Sequence, residues 1–275
     1  MTECVAEIGF GCRDGVTRLN HLYQRDPLRV LFPTPARDEP PLAVILTTSG
    51  GLVAGDKLVV SVGLAPGAAA HVTASAAEKV YRSLGPTTAI RQSFSVAAGA
   101  ALEFLPLETI LFDGARLWRE TTVELAPGSA FLGGDIIVFG RRARGERFTR
   151  GFLREVWEVR RDGRLVWGDA LHLEGDISGI IDDPACFDGA AACAAMILAP
   201  AARDPRSFLD SAREIQSATA ASGLQAGVTA VAGLVIARWL AADAAELRRA
   251  YADLACHLRR VAMGLPPLLP RLWHV

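Results

Sequence analysis

Short apolar and β-branched runs, separated by one recurring turn, dominate the first two thirds of the chain. Val62-Gly63-Leu64-Ala65-Pro66-Gly67-Ala68 returns as Phe94-Ser95-Val96-Ala97-Ala98-Gly99-Ala100, and again as Val123-Glu124-Leu125-Ala126-Pro127-Gly128-Ser129. The turn glycines stand 32 and then 29 residues apart. Proline presets φ and glycine takes φ > 0, so the pair suits the centre of a tight turn, and each unit reads as strand, turn, strand. A period of about 30 residues suits β-units that stack on one another. Three hairpins of a sandwich fit the same pattern. Residues 5–185 are expected to be β-dominated. Arg154 to Trp167, with Asp162-Gly163 at its middle, reads as a hairpin with a type I′ turn.

After Asp182-Asp183-Pro184 the period changes. Ser207 to Ala220 and Ala242 to Met263 carry helical spacing. In the second, Leu247, Tyr251, Leu254, Leu258 and Val261 share one face, with Arg248, Arg249, Arg259 and Arg260 off it. Val228 to Leu240 is β-branched and predicts one strand, and Gly264 followed by Pro266-Pro267 ends the last helix. The chain is read as one mostly β domain over residues 1–275: a stacked β body (1–185) with an α/β, helix-bearing flank (186–275).

Composition narrows the function. Lys+Arg number 29 against 30 Asp+Glu, so the molecule as a whole attracts neither nucleic acid nor an anionic membrane. The basic residues are arginine except for Lys57 and Lys79. The five cysteines form no C-x-x-C, which removes the thiolate zinc site and the thioredoxin-type motif. Cys186 and Cys193 are expected to be small buried hydrophobes. Met1-Thr2-Glu3-Cys4 lacks the marks of an export leader, and the longest apolar stretches, 14 and 12 residues, fall short of the roughly 20 a membrane helix needs. A cytoplasmic location is expected.

Catalytic motifs are missing. Gly50 and Gly55 have the interval of a phosphate-binding loop, but Asp56 stands where the lysine belongs, and Leu58 follows Lys57 where a hydroxyl is needed. No G-x-S-x-G or H-E-x-x-H occurs, and the five histidines are scattered. What remains is a set of carboxylates beside apolar strands: Asp56, Glu78, Asp135 in Gly133-Gly134-Asp135-Ile136-Ile137, and Asp169 after Val166-Trp167-Gly168. A buried carboxylate must be paired or line a wet cavity. Salt bridges to arginine and a polar channel for a hard or borderline cation both satisfy that requirement. Paired carboxylates on a stacked β scaffold would also suit glycan cleavage, although aromatic residues make up only 7%.

Several blocks, in order, resemble the UreD (UreH) family of urease accessory proteins: Asp26-Pro27-Leu28-Arg29-Val30, Gly50-Gly51-Leu52-Val53-Ala54-Gly55-Asp56, Glu78-Lys79-Val80-Tyr81-Arg82-Ser83, Leu102 to Ile110, Phe112-Asp113-Gly114-Ala115, Asp135-Ile136-Ile137, Gly145-Glu146-Arg147-Phe148 and Leu269-Pro270-Arg271-Leu272-Trp273. The resemblance runs from about residue 8 to 273. It implies a β-helix-like body and a non-enzymatic scaffold between the urease apoprotein and two partners, the helical UreF and the GTPase UreG. It also implies nickel in transit through a polar passage, with no cofactor held permanently and GTP hydrolysed by the partner. Carried onto this chain, the passage candidates are Asp56, Glu78, Asp135 and Asp169, with Asp113 and Glu146 behind them. Many relatives carry His-Pro-Pro before the double glycine, where this chain has Thr47-Thr48-Ser49, so a histidine ligand is missing there. An adaptor that never touches metal, with every carboxylate salt-bridged, is the remaining alternative. The Trp273 end and the C-terminal helices are expected to be exposed docking surfaces.

Overall fold

A computed structural model describes residues 3–218 and 223–274. The strands run β1 (Cys4–Arg13), β2 (Val16–Arg25), β3 (Leu28–Leu31), β4 (Leu42–Thr47), β5 (Lys57–Leu64), β6 (Ala69–Ala74), β7 (Glu78–Val80), β8 (Thr88–Val96), β9 (Ala101–Phe104) and β10 (Thr109–Leu111). They continue as β11 (Arg116–Leu125), β12 (Ala130–Phe139), β13 (Phe152–Arg161) and β14 (Arg164–Glu174). The short helix α1 (Ile177–Asp182) leads to β15 (Ala192–Ala199), α2 (Leu209–Ala218), β16 (Leu224–Val231), β17 (Leu234–Ala241) and α3 (Ala244–Leu258).

The repeat is a rung. β5, β8, β11 and β13 pair side by side and parallel in one sheet, ordered β14-β13-β11-β8-β5-β1-β2. β6, β9 and β12 pair parallel in the second, ordered β16-β17-β15-β12-β9-β6-β4-β3. The strands flanking each turn glycine therefore lie in different sheets and are not hairpin partners, which resolves the two readings in favour of stacking. In each corner the residue after the glycine donates back to the one two before it, as from Ala68 N–H to Ala65 C=O at 3.1 Å, with Gly67 at φ 71°. Pro66-Gly67 thus sits at the centre of a type II turn. Corner bonds to corner as well: Ala101 N–H donates to Ala68 C=O, and Ala130 N–H to Ala100 C=O, each at 2.9 Å.

Two cores result. Between the sheets lie the inward residues of the alternating strands, such as Leu58, Val60, Val62 and Leu64 of β5. The other face of the second sheet is covered by α2 and α3, so β12 is buried along its whole length and reads as continuous apolar sequence. Asp243 caps α3, accepting from the Ala245 and Glu246 amides, and Gly264 at φ 68° closes the turn that follows Leu258. Among the described residues no helix is long and apolar enough to cross a membrane.

Several expectations are corrected. Val228 to Leu240 is not one strand but the antiparallel pair β16 and β17, turned at Ala232-Gly233, where both residues have positive φ. The α2 helix begins at Leu209 after a 3-10 turn, and its expected end at Ala220 lies outside the described residues. Arg259 is not off the apolar face but fully buried. Trp273 is not an exposed end: it is buried, its ring stacks on Tyr251 at 5.7 Å, and its Nε1 donates to Leu105 C=O. Cys186 is exposed rather than buried.

Gly134 has a packing reason to be glycine. A Cβ there would stand 2.0 Å from Ala195 C=O and 2.8 Å from the Tyr251 hydroxyl. Gly134→Ala is expected to destabilise the chain by about 3 kcal/mol, the upper end for overpacking, because the obstacle is backbone of the adjacent strand. Urea unfolding measures this, and a loss below about 1 kcal/mol would mean β15 can shift to make room.

Candidate functional site

β12 is bonded to β9 through Gly133 and to β10 from Ile137 onward, while residues 105–108 loop away between those two strands. Asp135 lies in that gap, without a strand partner on this side. Opposite it, β11 and β13 alternate inward residues, and at one level the inward positions are polar: Arg119 in Leu117-x-Arg119-x-Thr121 and Glu155 in Leu153-x-Glu155-x-Trp157. Arg119 and Glu155 are register partners.

These three side chains form a buried cluster. Arg119 Nε donates to both Glu155 oxygens at 2.8 and 2.7 Å, its Nη2 to Asp135 Oδ2 at 3.0 Å, and its Nη1 to the Thr109 hydroxyl at 2.8 Å. Trp157 Nε1 donates to the same Asp135 oxygen at 3.1 Å. One guanidinium thus faces two carboxylates in a buried setting. Burial, helped by the Asp135 charge, pushes the Glu155 carboxyl well up despite Arg119. The two carboxylates in turn hold Arg119 in its charged form.

The cluster opens into a cavity of about 470 Å³ whose lining includes Asp135, Glu155, Trp157 and Cys193. Its wall also carries Asp169 and Arg238, paired at 2.5 Å, which link β14 of the first sheet to β17 of the second. On the other side of Arg119, Thr109 is the register partner of Glu78 on β7. Glu78 accepts from the Thr47 hydroxyl at 3.2 and 3.3 Å. The polar groups therefore follow one another through the interior: Thr47, Glu78, Thr109, Arg119, Asp135 with Glu155, then the cavity with Asp169.

Burial pushes Glu78 up to about 7, against the Thr47 bond that favours its charge. Between the ordinary value of 4.5 and about 7 the folded chain binds more proton than the unfolded one. The contribution of this group to stability therefore falls as pH rises through that window. Glu78→Gln is expected to gain on the natural chain at about pH 8 relative to about pH 5, compared by urea unfolding. Equal gains at both values would mean that Glu78 is solvated.

The remaining sequence candidates hold loops. Asp56 accepts from the Val53 amide at 2.9 Å and closes the Gly55 turn. Asp113 accepts from the Thr149 amide and hydroxyl and the Arg150 amide, and these bonds outweigh burial to hold it below the usual carboxylate range. Glu146 accepts from the Asp113 amide and pairs with Arg141, which keeps its carboxyl low. Asp135 and Asp169 are brought to one cavity and Glu78 into line with it; Asp56, Asp113 and Glu146 stand apart in turn and loop bonds. Glu155 and Arg119 escaped the sequence reading, although a polar residue in the apolar phase of an alternating strand marks both. Among the described residues no three His, Cys, Asp or Glu side chains converge as a ready-made metal site.

A family model described as UreD urease accessory protein matches residues 3–274. The chain is 42% identical over 274 residues to a protein named urease accessory protein UreD from Magnetococcus marinus, covering 99% of this chain and 93% of that one. A relative of the same name from Rhodopseudomonas palustris strain BisA53 is 40% identical over 273 residues, covering 98% and 91%. One from Methylobacterium sp. strain 4-46 is 41% identical over 261 residues, covering 94% and 89%.

Proposed function

The chain belongs to the UreD family of urease accessory proteins, and from that premise we propose that it is a non-enzymatic scaffold through which nickel reaches the urease apoprotein. Membership alone supports a role in urease maturation. The finer reading is that it stands between urease and two partners, a helical UreF-type protein and a UreG-type GTPase that carries nickel and hydrolyses GTP, all in the cytoplasm.

One observation supports nickel passage: the interior file from Glu78 through Arg119 to Asp135 and Glu155, leading to the cavity walled by Asp169. Oxygen ligands suit a borderline divalent ion that must move on, because carboxylates release it more readily than thiolates would. The chain's own residues have clear parts. Asp135 supplies charge at the buried middle of the file, where the cluster meets the cavity. Arg119 offsets that charge while no ion is present and keeps both carboxylates aimed inward. Glu155, easily protonated, can gain or lose a proton as the cation's charge enters or leaves. The Asp169–Arg238 pair can free a carboxylate at the outer end by a rotation of the exposed arginine.

The test is urease maturation in cells that express the urease subunits and the partner proteins, with and without this chain. Nickel per urease and urease activity are expected to require it. Equal nickel content and activity without the chain would overturn the reading.

A further inference from the structure

At one corner of the stack, three successive rungs each carry an arginine: Arg82, Arg116 and Arg150, spaced 34 and 34 residues apart. The spacing places them on adjoining levels. Arg82 forms a bridge with Ala115, Ser83 N–H donates to Gly114 C=O at 3.0 Å, and Gly114 N–H donates to Arg150 C=O at 2.8 Å. Hydrogen-bonded backbones of this kind lie about 5 Å apart, so the three cations project from a compact ladder. All three line one shallow cavity of about 360 Å³, together with Leu84.

Their local compensation is incomplete. Arg116 has Glu174 at 4.0 Å and Arg150 has Asp113 at 3.6 Å, and Asp113 is already held by the Thr149 and Arg150 amides. Arg82 has no ion-pair partner among the described residues. Three clustered cations with so little opposite charge cost Coulomb energy that an incoming anion would remove.

The chemistry of the rim says which anion. Leu84 is 90% exposed at the tip of a loop shaped by Ser83, whose hydroxyl donates to Pro86 C=O and accepts from Gly85 N–H. Two residues on from Arg116, on the same outer face of β11, Trp118 is half exposed, with Arg154 over its ring. A free phosphate has no use for an exposed leucine and tryptophan. Arginine, tryptophan and a protruding apolar side chain together are what a protein interface concentrates at its centre.

We propose that this corner, with Arg82, Arg116 and Arg150 around Leu84, is a docking surface for an acidic, leucine-accepting segment of a protein partner in the urease maturation assembly. The inference rests on the scaffold reading above and adds where one partner sits and by what chemistry.

The test uses the full chain and three purified probes, urease apoprotein and the two partner proteins, with dissociation constants measured at low and raised salt. Arg82→Glu and Leu84→Asp change exposed positions and should leave the fold intact, which circular dichroism checks. For one probe, each is expected to raise Kd about tenfold or more, and Arg82→Glu should flatten the salt dependence. Arg213→Glu, on α2 and away from this corner, should bind as the natural chain does. A photo-crosslinker placed at position 84 should join to a segment of that probe rich in Asp and Glu. Natural Kd and salt slope in both variants would overturn the docking surface while the scaffold reading stands, as would a crosslink to a segment without acidic residues. If the natural chain binds none of the probes, both readings fail.

Discussion

Arg259→Ala is expected to destabilise the chain by about 3–5 kcal/mol, the range for removing one partner of a buried ion pair. Arg259 is fully buried at the end of α3, where its Nε donates to Glu103 Oε1 at 2.6 Å and its Nη2 to Glu103 Oε2 at 3.2 Å and to Glu39. Glu103 is itself 1% exposed and lies on β9, with His71 Nδ1 of β6 at 3.3 Å. The arginine therefore joins the C-terminal helix to the second sheet and to the segment between β3 and β4. Truncation leaves a carboxylate inside the protein with only a histidine for company. Urea unfolding near neutral pH is the measurement, and Arg260→Ala, at the exposed neighbouring position, should change stability by less than about 0.5 kcal/mol.

The pH dependence of that loss has a definite sign. Burial alone would push Glu103 up, but His71 and Arg259 outweigh it and hold the carboxyl below its ordinary value of 4.5. Its contribution is present above that value and is lost as pH falls through the lower folded one. In Arg259→Ala the carboxyl is freed to take a proton, so the gap between variant and natural chain should narrow in acid. A loss that is the same in acid and at neutral pH would mean that the missing packing, rather than the ion pair, carries the effect.

Asp135→Asn is expected to lower nickel delivery to urease about tenfold or more, equivalent to roughly 1.4 kcal/mol or more, with the fold and the complex intact. The amide oxygen can still accept from Arg119 Nη2 and Trp157 Nε1, which the carboxylate accepts at 3.0 and 3.1 Å, and Glu155, freed of the Asp135 charge that helps push it up, serves as counterion to Arg119. Packing is thus conserved and the change is one of charge at a buried point of the file. Glu155→Gln should cost less, because burial already pushes Glu155 toward its neutral form. Nickel per urease and copurification of the partners separate the outcomes. Lost assembly would make the cluster a structural salt bridge, and full nickel delivery would route the ion elsewhere.

Much of the fold was legible because it follows from local chemistry. The glycine corners and the apolar alternation of β5, β8 and β11 repeat at intervals of about 30 residues, which pointed to β-units of one kind, stacked or paired as hairpins. Asp135 and Asp169 stood out because a carboxylate at an apolar strand demands a partner or water. Arg259 was misplaced because it continues a helix whose exposed face is also rich in arginine; only the presence of Glu103 and Glu39, 156 and 220 residues away, makes its burial favourable. Trp273 reads as an exposed end in the sequence because the Tyr251 that stacks on it lies on another element.

Four things were readable in the chain alone: the repeating strand–turn–strand unit, the helical flank, the absence of recognisable catalytic and nucleotide motifs, and which acids were out of place. All of these depend on neighbours within a few residues or on a regular period. Whether those units stack as rungs or fold back as hairpins, and which acids meet, emerged with the three-dimensional fold. Alternation along β12 turns Asp135, in phase with Phe131, Ile137 and Phe139, between the sheets toward Arg119 and Glu155, and the stacking register carries Glu78 and Thr109 into line with them. Register between strands 30 or more residues apart is set by how the corners stack, and one step of slip would turn every one of those side chains to the opposite face.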